Sequence, residues 1–252
     1  MARVTIEDRF RTGKVYTIRQ AAVLGGVSPG TVRNWLWGSR PHSPDSEEEE
    51  PRTQPAFGTP LALSPYEVEP VFGSRPRTSE IAMVSFLELS EVIVVAKFRQ
   101  RKIKLQRIRD AYEFARSEWE LEYPFAHLNL KSLGGHLLAR FEDQRPGNGT
   151  GHLVVLSSPG QYVLPQLVQE ELAHFDYSDE DKFAARWHPY GRDLPVVVDP
   201  RFAGGKPTIK GRGITVEMLY RRWTIGRESF KSIARDFHLK AADVEAVLQR
   251  VA

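Results

Sequence analysis

The sequence contains no cysteine. That absence excludes disulfides, thiol nucleophiles and cysteine-ligated zinc together, and it suits a reducing compartment. Long hydrophobic runs are missing too: the longest cores, near Ile93-Val94-Val95 and Val154-Val155-Leu156, fall far short of the ~20 residues a membrane-spanning helix needs. The start of the chain carries Glu7 and Asp8 and has no apolar stretch of signal-peptide type. A cytoplasmic protein without membrane contact is the expectation. Catalytic spacing is lacking as well. Glu170, Glu171 and His174 have no second histidine on their face, so no metal site is expected. The seven histidines are scattered, and no nucleophile–base–acid set can be argued from spacing. Gly204-Gly205-Lys206 is followed by Pro207, which removes an N–H and forbids the helix that a phosphate loop must open. Neither a cofactor nor an enzyme activity is expected.

What remains is ordinary soluble-protein composition, 41% hydrophobic and 27% charged, with charge that is segregated along the chain. The formal net charge is only +3. Yet residues 1–41 hold Arg3, Arg9, Arg11, Lys14, Arg19, Arg33 and Arg40 against Glu7 and Asp8, and an acidic block, Asp45 to Glu50, follows at once. Such segregation creates a local field that the net charge hides.

Within residues 1–41 the pattern is that of a helix-turn-helix. Thr17 caps a helix over Arg19–Leu24, Gly25-Gly26-Val27 turns the chain, and Ser28 caps a second helix with Pro29 at its first position. Residues 42–65, rich in Pro, Ser and Glu, read as a flexible linker. Residues 66–192 form a central α+β region. A strand is expected over Tyr66–Phe72, helices over Phe86–Ala96 and Leu105–Ala115, strands over Leu137–Phe141 and Leu153–Leu156, and a helix over Gln161–Phe175. Residues 193–252 read as a strand at Val196, a Gly-rich basic hairpin and three short helices. Val216–Trp223 should turn Met218, Leu219 and Trp223 inward, Glu228–Phe237 should bury Phe230, Ile233, Ala234 and Phe237, and Ala241–Val251 completes the set. The fold class is thus α+β, mostly helical, with a helix-turn-helix at the N-terminus and a β-hairpin plus three-helix bundle at the C-terminus.

In a DNA-binding helix-turn-helix the second helix enters the major groove while flanking cations meet phosphates. Ser28, Thr31, Arg33 and Asn34 are the candidate base-proximal residues here, and Arg19 and Arg40 the phosphate contacts. The competing account is a helical hairpin for protein docking, anchored by Trp35 and Trp37. The C-terminal unit has a near-neutral last helix, with Asp243, Glu245, Gln249 and Arg250. It lacks the clustered cations that dominate DNA affinity, so docking or dimerisation suits it better. The cations between Lys97 and Arg109 divide evenly between a binding edge and a solvated helix face.

Val198-Asp199-Pro200 with Gly204-Gly205-Lys206-Pro207-Thr208-Ile209-Lys210-Gly211-Arg212-Gly213-Ile214, and the helical remainder to Val251, resembles the DUF433 family. The whole layout is similar to the longer VapB-type antitoxins, and Tyr16 to Ala22 resembles the opening of MerR-type DNA-binding modules. The resemblance implies an antitoxin that neutralises a PIN-like ribonuclease toxin and represses its own operon as a homodimer or a toxin–antitoxin hetero-oligomer bound to operator DNA. Lys206, Lys210 and Arg212 would then be the cations that reach the toxin's acidic, metal-binding site. The alternative is a MerR-like regulator whose central region answers to a small molecule.

Overall fold

The computed structural model describes residues 6–38, 69–73, 83–128, 130 and 170–251. The expected linker at 42–65, the strands at 137–141 and 153–156, and Arg40 lie outside these residues. The described elements are helix α1 (Ile6–Thr12), strand β1 (Tyr16–Thr17), helices α2 (Ile18–Gly25) and α3 (Pro29–Trp37), β2 (Met83–Val84), and helices α4 (Phe86–Gln100) and α5 (Leu105–Trp119). Strands β3 (Phe175–Tyr177), β4 (Ala184–Trp187), β5 (Val196–Val197) and β6 (Thr208–Ile209) follow, then helices α6 (Val216–Thr224), α7 (Phe230–Asp236) and α8 (Ala241–Val251). The class is α+β with small antiparallel sheets: β1 pairs with β2, β3 with β4, and β5 with β6.

Local chemistry sets most helix starts. Thr17 and Gln20 form a reciprocal capping box on α2, and Ser85 and Glu88 form another on α4. Ser28, Thr215 and Ser229 cap α3, α6 and α7 through their side-chain oxygens. Gly26 ends α2 at φ 65°, and its left-handed conformation lets the chain turn within three residues into α3.

Helix α4 is the axis of the main core. Twelve of its fifteen residues are buried, Glu88, Ser90 and Glu91 among them, so burial runs round the whole helix, as expected of a central helix. The α2–α3 pair packs on one side through Ile18, Ala21, Ala22, Val32, Trp35 and Leu36, all within the same cluster as α4. Trp35 is therefore a core residue and not an anchor awaiting a partner. On the other side Phe72, Tyr112, Phe125 and Phe98 form an edge-to-face chain with centroid spacings of 5.3, 5.2 and 6.0 Å. A smaller second cluster, centred on Leu219, Ile233, Val244, Val247 and Leu248, holds α6, α7 and α8 together.

Three expectations change. Residues 69–73 are irregular where a strand was expected, because the amides of Val71 and Phe72 both donate to the Trp35 carbonyl, at 2.8 and 3.3 Å, and meet no neighbouring strand. The helix expected to reach Phe175 ends at Leu172, and Phe175 opens β3. Met218 is 46% exposed: Val216 and Leu219 take the buried face of α6, and Met218 sits one position beyond it. The β3–β4 hairpin was not anticipated. Its edge continues into the C-terminal unit through reciprocal hydrogen bonds between Trp187 and Val198 (3.0 and 2.8 Å).

The same hairpin is tied to the N-terminus. Arg11 (α1) donates to both carboxylate oxygens of Asp181 at 2.8 and 2.6 Å. Burial alone would raise the Asp181 carboxyl, but hydrogen bonds from Arg11 and the Phe183 amide, with the Arg11 charge, bring it below its ordinary range. Asp176 behaves alike, burial being outweighed by His188 and Arg192. His127 is lowered by burial against the opposing pull of Asp181. All three groups thus favour the fold when deprotonated. Their contribution is complete above pH ~6.5, declines first as His127 is asked to protonate, and declines again below pH ~4 as the carboxylates do. Denaturant midpoints measured between pH 7.5 and 3 should fall in these two steps, and Asp181→Asn should flatten the lower one.

Candidate functional site

Helices α2 and α4 and the C-terminal unit meet around one cleft of about 660 Å³. Helix α2 contributes Arg19 and Val23, the segment after β4 contributes Trp187 and Tyr190, and α6 contributes Glu217 and Tyr220. Tyr16 and Gly205 lie together at its base.

The closeness of that last pair defines how the two ends of the chain fit. A Cβ built on Gly205, whose φ is +72°, would stand 2.0 Å from the Tyr16 hydroxyl oxygen. Only glycine allows this approach. Tyr16 is 1% exposed, and its hydroxyl has no hydrogen-bond partner among the described residues. Burial first, and the neighbouring Asp199 carboxylate second, push its ionisation well above the ordinary tyrosine range, so it is a neutral phenol throughout physiological pH. Asp199 is itself buried and held by Arg201, whose Nε and Nη2 donate at 2.9 and 2.8 Å, with Arg186 at 3.7 Å.

Among the candidate DNA contacts, Arg33 and Asn34 are exposed on α3. Ser28 and Thr31 hydrogen-bond each other at 2.8 Å while Ser28 accepts from the Thr31 amide at 3.0 Å, so this pair shapes the start of α3. Arg19 is exposed on α2 and faces the cleft. The three candidate toxin contacts separate. Lys206 lines the cleft and pairs with Glu217 at 3.0 Å. Lys210 is exposed in the turn after β6, and Arg212 in that turn donates to the His238 carbonyl at 3.3 Å. Within the central basic run, Lys97 and Arg101 face Glu171 and Glu170, each at 3.8 Å. The two glutamates thus meet cations, and among the described residues no cluster suited to a metal ion forms. No described helix is long and apolar enough to cross a membrane.

Sequence reasoning did not find the cleft. Tyr16, Trp187, Tyr190 and Tyr220 come from distant segments and share no spacing. The adjacent Gly204 and Gly205 were the one available signal, and it pointed to a turn without indicating what would press against it.

Residues 196–249 match the family described as "Protein of unknown function (DUF433)". Over 256 aligned positions, covering 98% of this chain and 97% of the relative, the sequence is 24% identical to the Mycobacterium tuberculosis protein named "Putative antitoxin VapB45". The fold is similar to the crystal structure of Rv2018 from Mycobacterium tuberculosis, with a TM-score of 0.66 at 22% identity over 93% of this chain and 97% of that one.

Proposed function

We propose that this chain is a non-enzymatic antitoxin that binds and silences a PIN-like ribonuclease and represses its own operon through the α2–α3 pair. The observation that carries the reading is the likeness to the mycobacterial antitoxin along nearly the whole of both chains. In this reading α2–α3 acts as a MerR-like helix-turn-helix: α3 enters the major groove, Arg33 and Asn34 meet base edges, and Arg19 and Arg40 meet phosphates. Ser28 and Thr31 set the position of the helix start. A homodimer, or a hetero-oligomer with the toxin, supplies the second half-site that one short helix needs for specificity. Lys210 and Arg212, and Lys206 once released from Glu217, are the cations for the toxin's acidic site.

The test is co-purification with the product of the adjacent gene, with ribonuclease activity assayed in the same preparation. A retained, silenced nuclease supports the reading; an active or absent one overturns it. Arg33→Ala should weaken operator binding by about tenfold to a hundredfold, the worth of one good base contact, and leave nuclease silencing intact. Equal loss of both functions in a mobility-shift and nuclease assay would sink the division of labour. Deleting residues 196–252 is a poor substitute for point variants, because it strips Val198 from the main core and the cover from Tyr16. A second reading, a regulator answering to a small molecule, is favoured by the aromatic lining of the cleft.

A further inference from the structure

We propose that the cleft between α2 and the C-terminal unit is a binding site for a small aromatic carboxylate. At about 660 Å³ it falls within the ~300–1,000 Å³ typical of small-molecule sites. Its walls are largely aromatic and aliphatic: Trp187, Tyr190 and Tyr220 on one side, Val23 on the other. Val23 is 75% exposed, the most of any large apolar residue described. Such walls suit a flat apolar body, since aromatic faces and edges pair favourably at short range.

The charge of the lining selects the head group. Arg19, Lys97 and Lys206 are the cations and Glu217 the one carboxylate. Lys206 neutralises Glu217 at 3.0 Å, and Lys97 stands 3.8 Å from Glu171. Arg19 has no ion pair among the described residues, which leaves one net positive fork at the cleft wall. A planar monoanion matches a guanidinium fork through two parallel hydrogen bonds. A dianionic phosphate would require a second uncommitted cation that the lining does not offer. Gln20 and Gln100 also line the cleft; Gln20 Oε1 accepts from the Thr17 amide, so its NH2 and that of Gln100 are the groups left to donate to a carboxylate. An occupant would touch α2 and the C-terminal unit at once, so it would couple the proposed DNA-binding end to the proposed toxin-binding end by differential affinity for their arrangements. This site goes beyond the antitoxin reading, and its occupancy is measured on the protein alone, so either idea can fail without the other.

The test is calorimetric titration of the purified full chain with 2-naphthoate, its neutral isostere 2-naphthalenemethanol, and 2-naphthylmethylammonium. Naphthoate should bind at one site and at least about tenfold more tightly than the alcohol, the worth of one charge-assisted contact, with the ammonium weakest. Arg19→Gln should erase the preference for the acid and leave the alcohol's affinity unchanged. Tyr220→Ala, at a residue 37% exposed, should weaken acid and alcohol together. Lys231→Gln removes an exposed charge outside the lining and should change nothing, which separates the site from general attraction. Equal affinity for acid and alcohol, an unaltered preference in Arg19→Gln, or no heat at millimolar naphthoate would each overturn the proposal.

Discussion

Gly205→Ala is expected to destabilise the protein by about 2–5 kcal/mol, through two separable causes. The first is backbone: at φ +72° an alanine is held in the left-handed region at a cost of about 1–2 kcal/mol. The second is overlap: the new methyl stands 2.0 Å from the Tyr16 hydroxyl oxygen, 2.4 Å from Cζ and 2.7 Å from Cε1, and overpacking of this kind costs about 1–3 kcal/mol. Tyr16 cannot swing aside cheaply, since it is 1% exposed and its strand is paired to Val84. A double-mutant cycle with Tyr16→Ala isolates the overlap. In that background Gly205→Ala should cost only its backbone share, giving a coupling of about 1–3 kcal/mol by chemical denaturation. Equal cost in both backgrounds would mean that the two ends of the chain are not pressed together here. Tyr16→Phe carries the opposite expectation. It removes a buried hydroxyl that has no hydrogen-bond partner among the described residues, so it should leave stability unchanged or raise it, whereas loss of a bonded hydroxyl would lower it.

The helices were largely legible because their signals are local. Thr17 and Ser28 each marked a helix start, and each accepts the expected backbone hydrogen bond in the structure. Spacing likewise identified Ile233 and Ala234 as buried residues of α7. The sheets were not legible in the same way. A two-residue strand such as β1 is defined by its partner, here Val84 and Met83, more than sixty residues away in a sequence that gives no sign of the pairing. Segment 69–73 shows the reverse error, an alternating pattern that meets a helix-terminal carbonyl instead of a strand. Charge misled in part. Lys206, Lys210 and Arg212 sit close together in sequence, yet Lys206 turns to Glu217 and Arg212 to the His238 carbonyl. A hairpin sends neighbouring side chains in different directions, and a count of cations cannot show which of them are already paired. The candidate DNA contacts divided likewise: Arg33 and Asn34 remain exposed, while Ser28 and Thr31 bond each other.

Arg11→Met is expected to cost about 2–3 kcal/mol. Arg11 is 5% exposed and holds Asp181 through two short hydrogen bonds to a residue 170 positions away. Removing one partner of a fully buried pair costs about 3–5 kcal/mol because the other charge is stranded. The Asp181 side chain is 30% exposed, so water recovers part of that loss and the lower figure follows. The size of the effect therefore lies mainly in the abandoned carboxylate and not in the attraction lost. That distinction is measurable. Arg11→Met combined with Asp181→Leu removes both charges and should recover most of the stability, whereas Arg11→Lys keeps a charge but loses the bidentate fork and should recover less. Acidity reports the same physics. With Arg11 gone, its hydrogen bond and charge no longer offset burial, and the ionisation of Asp181 rises relative to the parent. The acid limb of the stability curve should then be shallower than in the parent protein, and the cost of Arg11→Met should shrink as Asp181 protonates. An unaltered limb, or a double variant no more stable than Arg11→Met alone, would show that Arg11 acts by packing its aliphatic stem and that α1 is held to the hairpin by shape alone.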